Sequence, residues 1–96
     1  MNVEVEPAAR AEIAEAVEWY IDVAGPAVAD AFEREFNAVI QLLLRFPKIG
    51  SPGKRESRQL RLDGFPYTLH YRIDGESIRI VAVANQRRKP GYWRGR

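Results

Sequence analysis

Apolar and polar residues alternate along three runs in the second half of the chain, between Arg58 and Trp93. Alternation at every second residue is typical of strands that bury one face, and the Asp-Gly pairs at 63–64 and 74–75 are strong turn signals. We therefore predict a three-stranded antiparallel meander here. Residues 47–56, which are rich in proline, glycine and basic side chains and have no periodicity, predict a loop before it.

Two helices are predicted ahead of the meander, because apolar residues recur there at intervals of three and four. The first helix begins at Pro7, and Gly25-Pro26 separates it from the second. Pro47 ends the second helix, since the residue before a proline is disfavoured in helical conformation, and Phe46 is expected to close its buried stripe. The short connection implies an antiparallel helical hairpin. Residues 2–6 alternate and predict a short strand at one sheet edge.

These elements together predict an α+β fold in a single domain that spans residues 1–96. The helical hairpin would cover one face of the meander, and Tyr67 and Tyr71 would point into that core. Four acidic residues of the first helix are expected to face solvent: Glu12, Glu15, Glu18 and Asp22. The uncovered sheet face is expected to form one basic surface with five members: Arg61, His70, Arg72, Arg79 and Arg87.

Charge divides the chain into two unequal halves. Residues 1–47 hold three arginines against nine acidic residues, a net charge of −6, whereas residues 48–96 hold twelve Lys and Arg against four acidic residues, a net of +8. This polarity favours an acidic or polyanionic partner for the second half. The plain alternative is that the basic residues only solvate one face of the sheet.

The residue inventory excludes several classes of protein. With no cysteine and His70 as the only histidine, a disulfide scaffold and a thiolate zinc site are excluded, and we expect no metal ion and no cofactor. His70 lies in mid-strand and is predicted to be a packing residue. Acidic Glu4 and Glu6 do not fit a signal peptide, and no apolar run has the length of a membrane span. We therefore predict a cytoplasmic protein with no membrane partner.

The order of elements, strand, helical hairpin and meander, resembles that of the RelE/ParE superfamily of bacterial toxins. The resemblance is carried by Phe-Pro-Lys-Ile-Gly at 46–50, Phe-Pro-Tyr at 65–67, and paired arginines at 87–88 ahead of Tyr-Trp at 92–93. It covers nearly the whole chain. It implies the toxin of a type II toxin–antitoxin module, of the kind called plasmid stabilisation proteins, which a cognate antitoxin neutralises. A dimer and a toxin–antitoxin hetero-oligomer are both compatible with it.

Members of this superfamily divide by target. Those similar to ParE poison DNA gyrase. This action requires a binding surface and no set of catalytic residues. The long helical hairpin favours a ParE-like protein. The binding surface is then predicted to include Arg72, Arg79, Arg88 and Trp93. Arg72 and Arg79 are expected to be cross-strand neighbours, an unfavourable pairing of like charges that an acidic partner would relieve.

Members similar to RelE instead cut messenger RNA in the ribosome, which requires a base, an acid and positive charge for the phosphorane. By resemblance the candidates are Lys54 as base, Arg61 and Arg87 as charge stabilisers, and Tyr92 as acid or stacking group. Lys54 has the plain alternative of a solvated loop residue. Another ribonuclease branch has a histidine near the end of the last strand, but Asn85 occupies that region here and cannot exchange protons.

A third hypothesis is a basic nucleic-acid-binding module without toxicity. RNA-binding sheets stack bases on exposed aromatic side chains, whereas here only Tyr92 and Trp93 are expected to be exposed, which disfavours this reading. The hairpin has more apolar surface than three strands cover. Val28, Ile40 and Leu44 are predicted to remain free for an amphipathic helix of another chain or for a second copy.

Overall fold

The computed structural model describes all 96 residues as two helices packed on one five-stranded sheet. The predicted α+β class is confirmed. In chain order the elements are β1 (Asn2–Val5), α1 (Pro7–Ala24), α2 (Pro26–Arg45), β2 (Ser51–Pro52), β3 (Ser57–Arg61), β4 (Tyr67–Asp74) and β5 (Ser77–Asn85). The strands lie in the order β1-β5-β4-β3-β2.

The helical hairpin forms where the prolines and Gly25 predicted it. Both helices have proline in the first turn, and Gly25 joins them with a φ of 93°, a conformation that glycine adopts without steric cost. Its N–H donates to the carbonyl oxygens of Tyr20 and Ile21, which closes the end of α1. At the end of α2, Phe46 leaves helical conformation ahead of Pro47. Neither helix is long and apolar enough to cross a membrane.

The meander β3-β4-β5 is confirmed, and the sheet extends beyond it on both sides. β1 pairs in parallel with β5, with Val3 opposite Ile78, and β2 pairs antiparallel with β3. The prediction of a loop over residues 47–56 is therefore wrong at Ser51–Pro52. Two residues are too few to show periodicity, and Pro52 is tolerated because β2 is an edge strand.

The main core lies between the hairpin and one sheet face. Tyr20, Phe32, Phe65 and Tyr67 form an aromatic cluster whose ring centroids lie 5.2–6.3 Å apart. Tyr67 and Tyr71 both point into this core, as predicted. Burial contributes roughly 1.5–3 kcal/mol for each large apolar side chain, so this region supplies most of the stability of the fold.

Tyr71 also fixes the connection after α2. Its hydroxyl is buried, donates to the carbonyl oxygen of Pro47 at 2.7 Å and accepts from the N–H of Gly50 at 2.9 Å. A Cβ on Gly50 would lie 2.7 Å from that hydroxyl, so only glycine fits at this position. One tyrosine thereby sets the path of the chain from α2 to β2.

Two expectations about apolar side chains are wrong. Phe46 was predicted to be buried, but it is 52% exposed, because α2 ends at Arg45 and the next residue turns away from the helix stripe. Val28 and Ile40 were predicted to remain free, but they pack against the core, where β1 extends the sheet beneath α2. Leu44 is half-buried.

Candidate functional site

The face of the sheet opposite the helices is partly covered by residues 86–96, which we call the tail. Trp93 stacks on His70, with ring centroids 4.4 Å apart, and packs with Val81 and Ala82 of β5. It is only 6% exposed. The expectation of an open face with an exposed Trp93 is therefore wrong. The reason is that β5 is apolar on both faces in its middle, and the tail buries the second of them.

Burial also decides the state of His70. Its ring is shielded between the sheet and Trp93, and this desolvation lowers its pKa below the ordinary value of 6.5, while the nearby charge of Glu12 acts in the opposite direction. A packing role for His70 is confirmed by the stacked geometry.

Glu12 of α1 ties the tail to the rest of the molecule. Its carboxylate accepts hydrogen bonds from the N–H of Val83 at 3.0 Å, from Arg96 Nη1 at 2.8 Å and from the Tyr92 hydroxyl. The side chain is only 10% exposed. Burial raises the pKa of Tyr92 well above its usual value of 10, and the bond to Glu12 raises it further. Tyr92 therefore keeps its proton at neutral pH and donates it in a hydrogen bond to Glu12.

The four candidate catalytic residues are not brought together at one point. Lys54 lines one cavity with Tyr92, and Arg87 lines a different one with Tyr92. Arg61 lines a third cavity, where its guanidinium lies against the side-chain amide of Gln86. The catalytic roles of these residues stay predictions.

The residues of the predicted binding surface have partners within the chain. Arg72 and Arg79 are directly opposite on β4 and β5, as predicted. Arg79 pairs with Glu6 and, at 3.7 Å, with Asp74. The repulsion between the two arginines is thus offset within the chain by the ion pairs of Arg79, so it gives no separate support for an acidic partner. Their place in a binding surface stays a prediction.

Arg72 and Arg88 are engaged with the tail. Arg72 donates to the carbonyl oxygen of Arg96 at 3.2 Å, and its guanidinium lies 5.8 Å from the centroid of the Trp93 ring. Arg88 lies 3.9 Å from the centroid of the Tyr92 ring. The role of these arginines in binding a target stays a prediction.

Two cavities flank the tail. The first, of about 460 Å³, lies between α1 and the tail. Two acidic and two basic side chains line it together with four aromatic ones, Trp19, Tyr20, Tyr67 and Tyr92. The second, of about 340 Å³, lies on the other side and is lined by residues of the 53–59 segment, β4 and the tail. Trp19, at the mouth of the first cavity, is 55% exposed.

Sequence reasoning missed Glu12 and the terminal arginine. Glu12 was assigned to the solvent face of α1, yet it lies three residues after buried Ala9 and four before buried Ala16. That spacing places it on the edge of the buried stripe, so the signal was present in the sequence. The role of Arg96 had no such signal, because the tail has no periodicity.

The strand, hairpin and meander, with a basic tail folded over the sheet, define a small α+β protein of the RelE/ParE type. The family model described as "ParE toxin of type II toxin-antitoxin system, parDE" matches residues 3–90. The chain belongs to this ParE toxin family, whose members are the toxins of type II toxin–antitoxin systems. The match ends before Tyr92 and Trp93.

A solved structure with the same fold is described as "Chromosomal ParDE TA system from P. aeruginosa". The similarity has a TM-score of 0.78 at 19% sequence identity, and it covers 88% of this chain and 95% of that chain. At this identity the likeness shows the fold alone. No curated protein matches the chain.

Proposed function

We propose that this toxin inhibits bacterial growth by binding DNA gyrase and that a cognate antitoxin neutralises it. One observation carries the choice of gyrase over messenger RNA: the hydroxyl of Tyr92, the candidate acid, is bonded to Glu12 and has a raised pKa. A general acid works best with a pKa near the operating pH and a free path to the leaving oxygen. Membership of the ParE family agrees with a binding function.

The candidate base and the candidate charge stabilisers support the same choice. Lys54, Arg61 and Arg87 line three different cavities. Phosphorane stabilisation requires donors that converge on one point. A toxin that acts by binding a protein has no such requirement. Because gyrase acts on DNA in the cytoplasm, the proposal places the toxin there.

Growth after induced expression, followed by two assays on the purified full chain, tests the proposal. We expect growth arrest, inhibition of supercoiling by gyrase, and intact messenger RNA on ribosomes. Messenger RNA cut in the ribosome, with the cutting lost in Arg61→Ala and Arg87→Ala, would establish the ribonuclease instead. Binding to any DNA or RNA that weakens steeply with salt, without arrest of growth, would establish the nucleic-acid-binding module.

For the antitoxin we propose contact with the exposed apolar side chains near the end of α1. Trp19 and Val23 lie four residues apart on one face of the helix and are 55% and 57% exposed. An amphipathic helix binds such a surface through its own apolar face. The aromatic cavity beside Trp19 offers a place for an anchoring side chain.

Affinity of the purified antitoxin for Trp19→Ser and Val23→Ser toxins tests this contact. We expect each change to weaken binding by about tenfold or more. Phe46→Ser is the matched control, because Phe46 is 52% exposed at the other end of the hairpin. Unchanged affinity in the α1 variants would refute the contact. If the toxin dimerises by itself and the variants do not, the surface would be assigned to a second copy of the toxin.

A further inference from the structure

The 340 Å³ cavity beside the tail, which we call the basic cavity, is lined by positive and neutral side chains only. Its basic members are Lys54, Arg88, Lys89 and Arg94. The neutral members include hydrogen-bonding side chains, and no aspartate or glutamate lines it. Segments far apart in the chain, the 53–59 loop and strand, β4 and the tail, contribute these groups.

The charges in the basic cavity have no counterions within the chain. The ion pairs of the protein involve Arg34, Arg79 and Arg96, and none of the four basic residues of this cavity. Cations gathered on one concave surface repel one another, and an anion there gains from all of them. The chain balances Arg79 and Arg96 with carboxylates but leaves this group unbalanced.

Arg94 gives a second, independent indication. Its Nε is buried and has no hydrogen-bond acceptor in the protein. A buried donor without an acceptor is costly, and such groups in native structures require an explanation. In the observed conformation Nε packs against Gly91, so an oxyanion in the cavity would supply its missing acceptor only after the Arg94 side chain turns toward it.

The loop that carries Lys54 is held in a strained and well-defined conformation. Arg55 and Glu56 both have positive φ, 57° and 60°, which is uncommon for residues other than glycine. Ser57 Oγ donates to the carbonyl oxygen of Lys54 at 2.6 Å, and the N–H of Gly53 donates to Ser57. Strain of this kind is concentrated at sites that position a side chain for a ligand.

We propose that the basic cavity binds a phosphate monoester of mononucleotide size. A phosphate monoester carries nearly two negative charges at neutral pH and presents three strong acceptor oxygens, which matches several cationic donors better than a single carboxylate does. The cavity volume lies within the range of small-molecule sites. This ligand site goes beyond the proposed action on gyrase, although it shares Arg88 and Trp93 with the predicted binding surface. It shares no residue with the proposed antitoxin contact at Trp19 and Val23.

Isothermal titration calorimetry of the full chain with AMP, adenosine and inorganic phosphate at low ionic strength tests the site. We expect AMP and phosphate to bind, adenosine to bind at least about tenfold more weakly than AMP, and added salt to weaken the binding. Lys54→Gln and Arg88→Gln should each reduce AMP affinity by about tenfold. AMP should also bind more tightly than inorganic phosphate, and equal affinity of the two would overturn the assignment to a ligand of mononucleotide size.

Arg34→Gln is the matched control, because it removes the same charge on α2, outside the cavity, and should leave AMP affinity within about twofold. Lys54 is exposed, so we expect Lys54→Gln to leave the fold intact, and thermal unfolding of the variant checks this. The proposal is overturned if AMP does not bind the wild-type chain, if adenosine binds as tightly as AMP, or if Arg34→Gln weakens binding as much as Lys54→Gln.

Discussion

The two faces of the central sheet are covered by different means. Beneath α1 and α2, large apolar side chains such as Phe32 and Leu69 are fully buried among many others of their kind. On the opposite face the buried apolar contact is limited to Val81, Ala82 and Trp93, and polar bonds hold the rest of the tail. Apolar burial is spread over many side chains, whereas each polar bond depends on a single group. The tail is therefore the part of the fold that a single substitution can release.

Phe32→Ala should have the largest effect, because it removes a fully buried ring from the helix-covered face. We expect the free energy of unfolding to fall by about 3–5 kcal/mol, as measured by urea unfolding. Phe46→Ala is the matched control, and since Phe46 is half-exposed it should cost about 0.5 kcal/mol or less. Equal losses in the two variants would contradict the division between a packed core and an exposed helix end.

Glu12→Gln should release the tail at a smaller cost. The change replaces the carboxylate that accepts hydrogen bonds from Arg96 and Tyr92 with a neutral amide. We expect the free energy of unfolding to fall by about 1–3 kcal/mol. Faster proteolysis after the tail arginines and a change in Trp93 fluorescence would report the release directly. A spectroscopic titration should also show the pKa of Tyr92 returning toward 10. Glu15→Gln, an exposed glutamate one turn on, should change none of these.

His70 should make the stability of the tail-covered face depend on pH. Its pKa is lowered in the folded state, so the unfolded chain binds a proton more readily at mildly acidic pH. The contribution of neutral His70 is fully present above pH 6.5 and is lost as the pH falls through the folded-state pKa, with a slope of at most about 1.4 kcal/mol per pH unit. As the pH falls below 6.5, the free energy of unfolding should decrease more for the wild-type chain than for His70→Gln. Parallel curves for the two proteins would contradict the burial argument.

Val23→Ser should have the smallest effect on folding. Val23 is 57% exposed, so the free energy of unfolding should change by about 0.5 kcal/mol or less in a thermal or urea melt. A large loss would show that this side chain belongs to the core and is not free for a partner. The small folding effect also makes this variant a clean probe of antitoxin binding.

The sequence predicts the helix-covered face well and the tail-covered face poorly, for physical reasons. Pro7, Pro26 and Pro47 mark the helices, and two-residue alternation marks the strands that bury Tyr67 and Tyr71. These signals are local and repeat along the chain. They do not show β2, which is too short for a period.

The tail is fixed by contacts that no local pattern encodes. Trp93 reaches His70 across 23 positions of sequence, and Tyr92 reaches Glu12 across 80. Residues 86–96 have no periodicity from which these contacts could be inferred. The candidate site was therefore predicted as a set of residue types, and its arrangement, with Trp93 buried and Tyr92 bonded to Glu12, required the three-dimensional structure.

The most direct test of the central claim is the inhibition of purified DNA gyrase by the purified full chain, followed as plasmid supercoiling over a titration of toxin. We predict that supercoiling falls as toxin is added and recovers when the cognate antitoxin is added in equal amount. Full supercoiling at a large excess of toxin that arrests growth, together with messenger RNA cut on ribosomes, would contradict it.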